Sequence, residues 1–286
     1  MRAPSATGYC LGMAGLPPKR DTVDRKAADQ VAGLLANATS VLFITGAGMS
    51  AESGLPTYRG VGGLYDKKPT DDEGLPIETV LSGPMLAQRP ELVWKYIHDV
   101  ELACRHATPN RGHEILALIG ERIPRTVVFT QNVDGFHRVA GSKRVIAIHG
   151  DIHDLRCTSC DWKKTVVDYA TLSFPPTCPR CASVVRPDVV LFGEPLPEGP
   201  FQEFEAEVAR GFDLVFLIGT SALFPYVARP VLLAKSEGVP TVEINPGVTD
   251  LSDVVDFRFP TTAKHALRAL WIAFKSKNVM ATRLGR

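Results

Sequence analysis

The stretch VLFITGAGMSA, from Val41 to Ala51, joins a run of apolar residues to a glycine-rich turn. A short apolar run bounded by turn residues is typical of a buried strand. The G-x-G-x-x-A pattern after it is typical of a turn whose glycines let backbone N–H groups approach a pyrophosphate at the start of a helix. The motif is weak by itself, so its interpretation depends on the rest of the chain.

This turn departs from the form that hydride-transferring dehydrogenases use. Gly54 and Pro56 cut the following helix short, and the acidic residues 71–73 lie in a stretch rich in Pro and Gly. A ribose-binding carboxylate has to stand at a strand end, so we expect these three carboxylates to be solvated. Asn245, which follows an apolar run, is the candidate for the ribose contact. The pattern indicates a dinucleotide site that is not built for hydride transfer.

Apolar runs like the first recur along the chain and alternate with helical patterns. Their near-continuous apolarity fits a parallel sheet covered on both faces, and the alternation predicts a Rossmann-like, doubly wound α/β domain. The predicted strands are Val41–Thr45, Thr126–Thr130, Val145–Ile148, Val189–Phe192, Leu214–Ile218 and Thr241–Ile244. The predicted helices include Asp21 to Asn37, capped by Asp21, then His113–Gly120 and a late one from Ala266 to Phe274.

Small and polar residues follow each predicted strand. Ligands of open α/β sheets bind outside the carboxyl ends of the strands, so we expect the ligand of this protein where these residues meet. Apart from the first turn, the segments are Gln131-Asn132-Val133-Asp134, His149-Gly150, Gly193-Glu194, Gly219-Thr220-Ser221 and Asn245-Pro246.

His149 is the candidate proton acceptor. A single histidine is more often a surface or satisfied core residue, but its place beside Asn132 and Asp134 at neighbouring strand ends favours a catalytic role. An imidazole titrates near neutrality and can take a proton from a ribose hydroxyl. Asp134 either orients a bound amide, stabilises developing positive charge, or caps the turn into Gly135-Phe136.

Two Cys-x-x-Cys pairs predict a zinc site. Four thiolates at this spacing suit tetrahedral Zn²⁺, and because sulfur fills every position the metal would be structural. Such a metal would clamp a small module that has no core of its own. Four buried thiols or two disulfides are the alternative. The predicted ligands are Cys157, Cys160, Cys178 and Cys181.

Two stretches stand outside the strand–helix alternation. We expect the helical insertion 61–108, with a helix around Pro90–Cys104, and the zinc module 151–182 to form a smaller lobe. The Rossmann-like domain would then be discontinuous, made of 21–60, 109–150 and 183–275. Residues 1–20 and 276–286 are expected to be flexible tails, although 1–20 leave a targeting segment open.

The composition excludes several classes of function. The chain has 286 residues, 32 basic against 31 acidic, and a formal net charge of +1. This balance argues against a specific nucleic-acid partner, and no apolar run approaches the length of a membrane span. With four of six cysteines assigned to metal, Cys10 and Cys104 have no nearby partner, which fits a reducing compartment. We therefore expect a soluble cytoplasmic protein.

The motifs, taken together, resemble the sirtuin family. The resemblance runs from about Val31 to Phe274 and is most specific in its first two motifs. Those two are the segment Gly46 to Arg59, GAGMSAESGLPTYR, and the segment Gln131 to His137, QNVDGFH. His149-Gly150, the cysteine quartet, Arg186 to Glu194 (RPDVVLFGE), Gly219-Thr220-Ser221 and Asn245-Pro246 follow in the family's order.

The resemblance implies an NAD-dependent protein-lysine deacylase. In that family the nicotinamide–ribose bond is cleaved, the acyl oxygen of a modified lysine captures the anomeric carbon, and the acyl group passes to ADP-ribose. His149 would be the general base, and Asn132 and Asp134 would hold the carboxamide. The implied cofactor-binding set is Gly46, Ala47, Gly48, Ser50, Ala51, Thr57, Tyr58, Arg59, Gln131, Asn132, Asp134, His149, Gly219, Thr220, Ser221, Asn245, Pro246 and Ala263.

The resemblance also implies the substrate. An acyl-lysine peptide would add a strand between the loop near Phe224 and the residues Val189, Phe192, Gly193 and Glu194. Relatives that prefer succinyl- or malonyl-lysine carry a Tyr-x-x-Arg pair, where this chain has Ile97 and Val100. An acidic acyl group would leave an unpaired carboxylate in a closed tunnel, so we expect a neutral acyl group.

Two other functions compete with deacylation. Mono-ADP-ribosyl transfer would use the same NAD cleavage with a protein nucleophile. A zinc-ribbon module that only senses NAD or binds nucleic acid is less favoured, because His149, Asn132 and Asp134 are all present and the charge is near neutral.

Overall fold

The computed structural model describes residues 23–57 and 74–284, in which strands form two separate sheets. The strands are β1 Ser40–Thr45, β2 Arg125–Thr130, β3 Val145–Ala147, β4 Gly150–Cys157, β5 Lys163–Thr165, β6 Val185–Val189, β7 Leu214–Ile218, β8 Thr241–Ile244 and β9 Phe257–Phe259. The larger sheet is parallel, in the order β3-β2-β1-β7-β8-β9. The chain adds β2 and β3 on one side of β1 and then β7, β8 and β9 on the other side. Sheets of this type bind ligands at the switch point, which here lies between β1 and β7.

The helices of the described residues cover the large sheet and build the second lobe. They are α1 Arg25–Asn37, α2 Ile77–Val80, α3 Gly83–Gln88, α4 Pro90–Arg105, α5 Arg111–Gly120, α6 Phe136–Val139, α7 Glu198–Ala209, α8 Pro225–Ser236 and α9 Ala263–Leu284. The predicted cap of the first helix is wrong: α1 begins at Arg25, and Asp24 caps it by accepting a 2.8 Å bond from the Lys26 N–H. The last helix continues to Leu284, so most of the segment expected as a tail is helical.

Both faces of the parallel sheet are buried, as its apolar strands predict. In β1, Phe43 packs with α1, α5 and α9, whereas Leu42 and Ile44 belong to the cluster that α7 and α8 cover. Every residue of β1 is buried. Successive residues of β1 thus pack on opposite faces of the sheet, so both faces are buried. The turns at the carboxyl ends of the parallel strands lie at one edge of the sheet.

The prediction of a buried parallel strand at Val189–Phe192 is wrong. The strand there is β6, which ends at Val189 and pairs antiparallel with β4 in the small sheet β5-β4-β6. Leu191 is nevertheless buried, because the segment after β6 runs against the cluster that α4 forms with the cysteine-containing segment. An apolar run buried in that position cannot be told from a core strand by composition.

The helical insertion packs against the cysteine-containing segment. Trp94 of α4 donates its indole N–H to the Val185 carbonyl at 2.9 Å, and its ring lies 5.5 Å from that of Tyr169. Cys157 and Cys178 belong to the same cluster of buried residues. The lobe boundaries given above stay a prediction.

No helix within 23–57 or 74–284 combines the length and the apolar character that a bilayer span requires.

Candidate active site

The turns after β1 and β7 meet in direct backbone contact. Gly46 N–H donates to Ile218 O at 3.0 Å, and Gly48 N–H donates to Gly219 O at 2.8 Å. A Cβ on Gly219 would lie 2.5 Å from the carbonyl carbon of Gly48, and Gly219 has a φ of +58°. The glycines of the first motif are therefore required by the close approach of two turns.

This contact changes the expected role of the glycine turn. The N–H groups of Gly46 and Gly48 are donated within the protein, so they do not act as free donors toward a phosphate. The chain continues in two single 3₁₀ turns, Ala47–Met49 and Ala51–Ser53, and ends the second at Gly54 with a φ of 92°. The helix is thus cut short, as predicted. Thr57 is the last described residue before the gap, and Tyr58 and Arg59 lie outside the described residues.

Ser50 connects the first turn to the segment after β2. Its hydroxyl donates to Asp134 Oδ2 at 2.6 Å and lies 3.1 Å from the Asn132 amide nitrogen, which also lies 3.1 Å from Gly46 O. Ser50, Asn132 and Asp134 are all buried. The first turn and the segment that carries both predicted carboxamide contacts are therefore held in one hydrogen-bonded unit.

Asp134 caps the turn into α6, which is one of the three roles expected for it. Its Oδ1 accepts a 2.9 Å bond from Phe136 N, which caps the turn into α6, while Oδ2 faces Ser50. Burial raises the pKa of this carboxyl, and the bonds from Ser50 and Phe136 N oppose the rise. Both bonds fix the position of the carboxylate.

His149 has a fixed tautomer. Its Nδ1 lies 2.9 Å from Gln131 O, and since a carbonyl only accepts, Nδ1 carries the proton. In the neutral ring Nε2 then holds the lone pair, and it lies 2.8 Å from the Tyr226 hydroxyl. Burial lowers the pKa of His149, partly opposed by the bond to Gln131 O. The ring is thus neutral and basic at Nε2 near neutral pH.

Thr220 links the ends of three strands. Its hydroxyl accepts a 2.9 Å bond from the Gln131 amide, and its carbonyl accepts a 2.9 Å bond from the Asn245 amide. The Asn245 Oδ1 in turn accepts from Gly247 N at 3.0 Å. Gln131 and Asn245, both in the implied cofactor-binding set, are therefore tied to the protein's own turns, which fixes the orientation of their amides.

Three further residues of the implied cofactor-binding set differ in their exposure. Ala263 is buried at the start of α9, whereas Ser221 and Pro246 are exposed. The next residue of α9, Lys264, donates its N–H to the Glu52 carboxylate at 3.0 Å. The helix start is thereby fastened to the second 3₁₀ turn.

The predicted substrate segment is braced by an ion pair. Glu194 accepts two bonds from the Arg186 guanidinium, at 2.5 and 2.8 Å, and one from Leu191 N at 2.9 Å. These bonds keep the pKa of Glu194 below its usual value, although burial opposes them. Glu194 is therefore engaged in holding the loop, and Gly193 turns there with a φ of +77°.

The four predicted zinc ligands converge. Their sulfur atoms all lie within 4.8 Å of one another, with Cys157–Cys181 at 3.4 Å and Cys160–Cys178 at 3.6 Å. Sulfurs about 2.3 Å from a tetrahedral zinc stand about 3.8 Å apart, whereas disulfide sulfurs stand about 2.05 Å apart. The N–H groups of Ser159 and Arg180 point at the sulfurs of Cys157 and Cys178. The quartet fits zinc and excludes disulfides.

Comparison with known proteins identifies the fold family. The model of the Sir2 family matches residues 46–224. The NAD-dependent protein deacylase 2 of Pseudomonas aeruginosa is 49% identical over 231 residues, which cover 80% of this chain and 90% of that protein. The chain belongs to the Sir2 family.

Solved structures agree with this assignment. A Sir2 homologue in complex with NAD matches this Sir2-family chain with a TM-score of 0.78 and 33% identity, over 87% of this chain and 94% of that one. A Sir2 variant with a deacetylated peptide and 3′-O-acetyl ADP-ribose matches with a TM-score of 0.75 and 29% identity, over 84% of this chain and 96% of that one. This chain therefore shares its overall fold with solved Sir2 structures.

Two residues that contact this Sir2 site, Asn110 and Tyr226, were not predicted from the sequence. Asn110 donates to Met49 O at 2.9 Å and to Ser53 Oγ at 3.1 Å, so it anchors the first turn while capping α5. Its place just before the predicted helix His113–Gly120 was the available signal. Tyr226 carried no signal, because it lies 77 residues from His149 in the chain.

Proposed function

We propose that this Sir2-family chain is an NAD-dependent protein-lysine deacylase that transfers the acyl group of a modified lysine to ADP-ribose and releases nicotinamide. The observation that carries this proposal is the fixed tautomer of His149, which presents a lone pair at Nε2 beside the turns that converge after β1, β2 and β7. The relative from Pseudomonas aeruginosa bears the name of the same activity.

The chain's residues fit NAD. Glycines at 46, 48 and 219 let the turns after β1 and β7 approach in direct backbone contact, and buried Asn132 and Asp134 offer an amide and a carboxylate to a carboxamide. The remaining cofactor contacts named above are part of this proposal. Bound NAD supplies an electrophilic anomeric carbon whose leaving group is nicotinamide.

His149 performs the proton transfer in this proposal. Its Nδ1 keeps its proton and donates it to the Gln131 carbonyl, so only Nε2 can accept a proton from a ribose hydroxyl. Asp134 and Asn132, joined through Ser50, orient the departing amide. A carboxylate held in the buried site also stabilises positive charge that develops beside it.

The substrate in this proposal is a protein or peptide that carries a neutral acyl-lysine. The N–H groups of Val190, Leu191, Phe192 and Glu194 are donated within the protein, so a peptide strand would pair with Gly193 and with carbonyl groups of the segment. Ile97 is buried and Val100 packs against the same apolar cluster, so these two positions provide no partner for an acidic acyl group. A cytoplasmic location accords with a cysteine set kept free for zinc.

The test of this function is NAD-dependent nicotinamide release against a panel of acyl-lysine peptides. We expect acetyl-lysine or longer apolar acyl-lysine to turn over faster than succinyl-lysine. Turnover that favours succinyl-lysine contradicts the proposed pocket. Nicotinamide release that does not depend on acyl-lysine contradicts the deacylase.

Labelled NAD separates deacylation from the alternative, protein mono-ADP-ribosyl transfer. We expect the adenylate label in soluble acyl-ADP-ribose. Label retained on protein after denaturation would instead indicate ADP-ribosyl transfer.

A further inference from the structure

The hydroxyl of Tyr226 is hydrogen-bonded to Nε2 of His149, the proposed base. Its hydroxyl lies 2.8 Å from His149 Nε2, and because Nδ1 carries the ring proton, the phenol is the donor in this bond. A ribose hydroxyl that gives up a proton to His149 therefore meets the Tyr226 oxygen in its path.

The Tyr226 ring is held on several sides. It stacks on Phe224 with ring centroids 5.4 Å apart and planes 12° apart, and it meets Phe129 edge-on at 6.3 Å. Phe129 is fully buried and stacks in turn on Phe204 at 3.6 Å. Rotating the phenol away from His149 would break these contacts, so they favour the side-chain conformation in which the hydroxyl faces His149.

The backbone under Tyr226 is also fixed. Phe224 is the N-cap of α8, Pro225 is its first residue and Tyr226 its second. Proline at the first position is preorganised for a helix. Burial raises the pKa of the phenol to about 12, so the hydroxyl is protonated and able to donate near neutral pH.

We propose that Tyr226 relays the proton between the bound ribose and His149. The O–H bond of the ribose hydroxyl breaks and its proton goes to the Tyr226 oxygen. At the same time the phenol O–H bond breaks and that proton forms a bond to His149 Nε2. The products are a ribose alkoxide that attacks the acyl carbon, a neutral tyrosine and an imidazolium. This inference rests on the deacylase function proposed above.

The variant Tyr226→Phe removes the relaying oxygen and keeps the ring with its aromatic contacts. We expect single-turnover acyl transfer to fall about 10²-fold, the lower end of what general acid–base catalysis supplies. Nicotinamide–NAD exchange should persist, because nicotinamide leaves before the ribose hydroxyl is deprotonated. The KM values for NAD and peptide should stay close to wild type.

A matched control is Tyr96→Phe. The Tyr96 hydroxyl is buried and has no hydrogen-bond partner among the described residues. Removing it deletes the same oxygen from the same residue type away from His149, so we expect wild-type acyl transfer.

A proton inventory in mixed H₂O and D₂O gives a second readout. Two protons in flight give a curved dependence of the wild-type single-turnover rate on deuterium fraction, and Tyr226→Phe should give a linear one. A Tyr226→Phe rate within about threefold of wild type, or above it, overturns the relay; a rise would show that the hydroxyl blocks the base. If wild-type protein releases no nicotinamide with acyl-lysine, the function proposed above fails; if only the variant comparison fails, the relay alone is wrong.

Discussion

The imidazoles of His113 and His137 lie 4.9 Å apart in the interior beside the candidate site. His113 Nδ1 accepts from Asn110 N at 3.2 Å, and His137 Nε2 lies 2.9 Å from the Thr45 hydroxyl. Burial lowers the pKa of His113 to about 4. Burial also lowers the pKa of His137 well below its usual value, and the neighbouring His113 lowers the pKa of His137 further. Both rings are therefore neutral in the folded protein, and protonating either one works against folding.

We expect the protein to lose stability in mild acid. The unfolded His113 binds a proton below about pH 6.5, whereas the folded one resists until about 4. The unfolded state thus carries more protons in this window, and stability is lost as pH falls, by about 1.4 kcal/mol per pH unit for each such histidine. Urea denaturation at a series of pH values measures this slope. His113→Gln should reduce the slope of unfolding free energy against pH by about 1.4 kcal/mol per pH unit, which corresponds to one proton. An unchanged slope would contradict the assignment.

We expect deacylation to depend on neutral His149. Burial lowers the pKa of His149, so activity should persist below the ordinary imidazole value of about 6.5 and disappear only as pH falls through the lowered value. The measurement is kcat/KM against pH. An acid limb at or above about 6.5 would show that the ring is more exposed to water than the structure has it.

His149→Ala should reduce acyl transfer by about 10²-fold or more, since Nε2 is the proton acceptor. NAD binding, measured by calorimetry, should change little. His265→Ala is the control, because His265 is exposed on α9. Equal activity in the two variants would refute the role of His149.

Gly219→Ala should destabilise the protein strongly. The new methyl group would meet backbone atoms of Gly48 and Met49 at 2.5 Å, and the residue would keep a φ of +58°. Gly238 also has a positive φ, of +74°, but no neighbour lies within 4 Å of an added Cβ. Gly238→Ala should therefore cost only about 1 kcal/mol of left-handed strain. Melting temperatures compare the two, and equal losses would mean that the turns move apart easily.

Cys178→Ser should release zinc and disrupt the cysteine-bearing lobe, because metal binding and folding are coupled in such modules. Cys104→Ser is the matched control: Cys104 is also buried and free but stands outside the quartet. Bound zinc is measured by elemental analysis and the lobe by tryptophan fluorescence, since Trp94 contacts it. A Cys178→Ser protein that holds a full equivalent of zinc and an unchanged spectrum would contradict the metal assignment.

The central sheet was predictable because its strands are continuous apolar runs, and β7 and β8 have the predicted bounds. Short or polar strands carry no such pattern: β5 is exposed throughout, and β9 has three residues. Both Asp21 and Asp24 could cap the first helix by sequence alone. The helix begins at Arg25, so Asp24 is the N-cap.

The candidate site was predictable where chemistry follows a strand end, and less so where contacts are long-range. Zinc spacing is local, and the quartet converges as expected. The use of the Gly46 and Gly48 N–H groups depends on the turn after β7, and the partner of His149 Nε2 lies on α8. Such pairings arise from the order of strands in the sheet, which a linear pattern does not specify.

β4 begins one residue after His149 and ends at Cys157, and β6 runs back from Val185 beside the quartet to Val189. The next residue, Val190, donates its N–H to His149 O at 3.0 Å. One antiparallel ribbon, made of β4 and β6, therefore carries a predicted zinc ligand at one end and a backbone hydrogen bond to His149 at the other. Because one ribbon joins the two, we expect a chelator that opens the sulfur cluster to loosen the backbone behind the imidazole and to lower activity without modifying any group of the reaction centre.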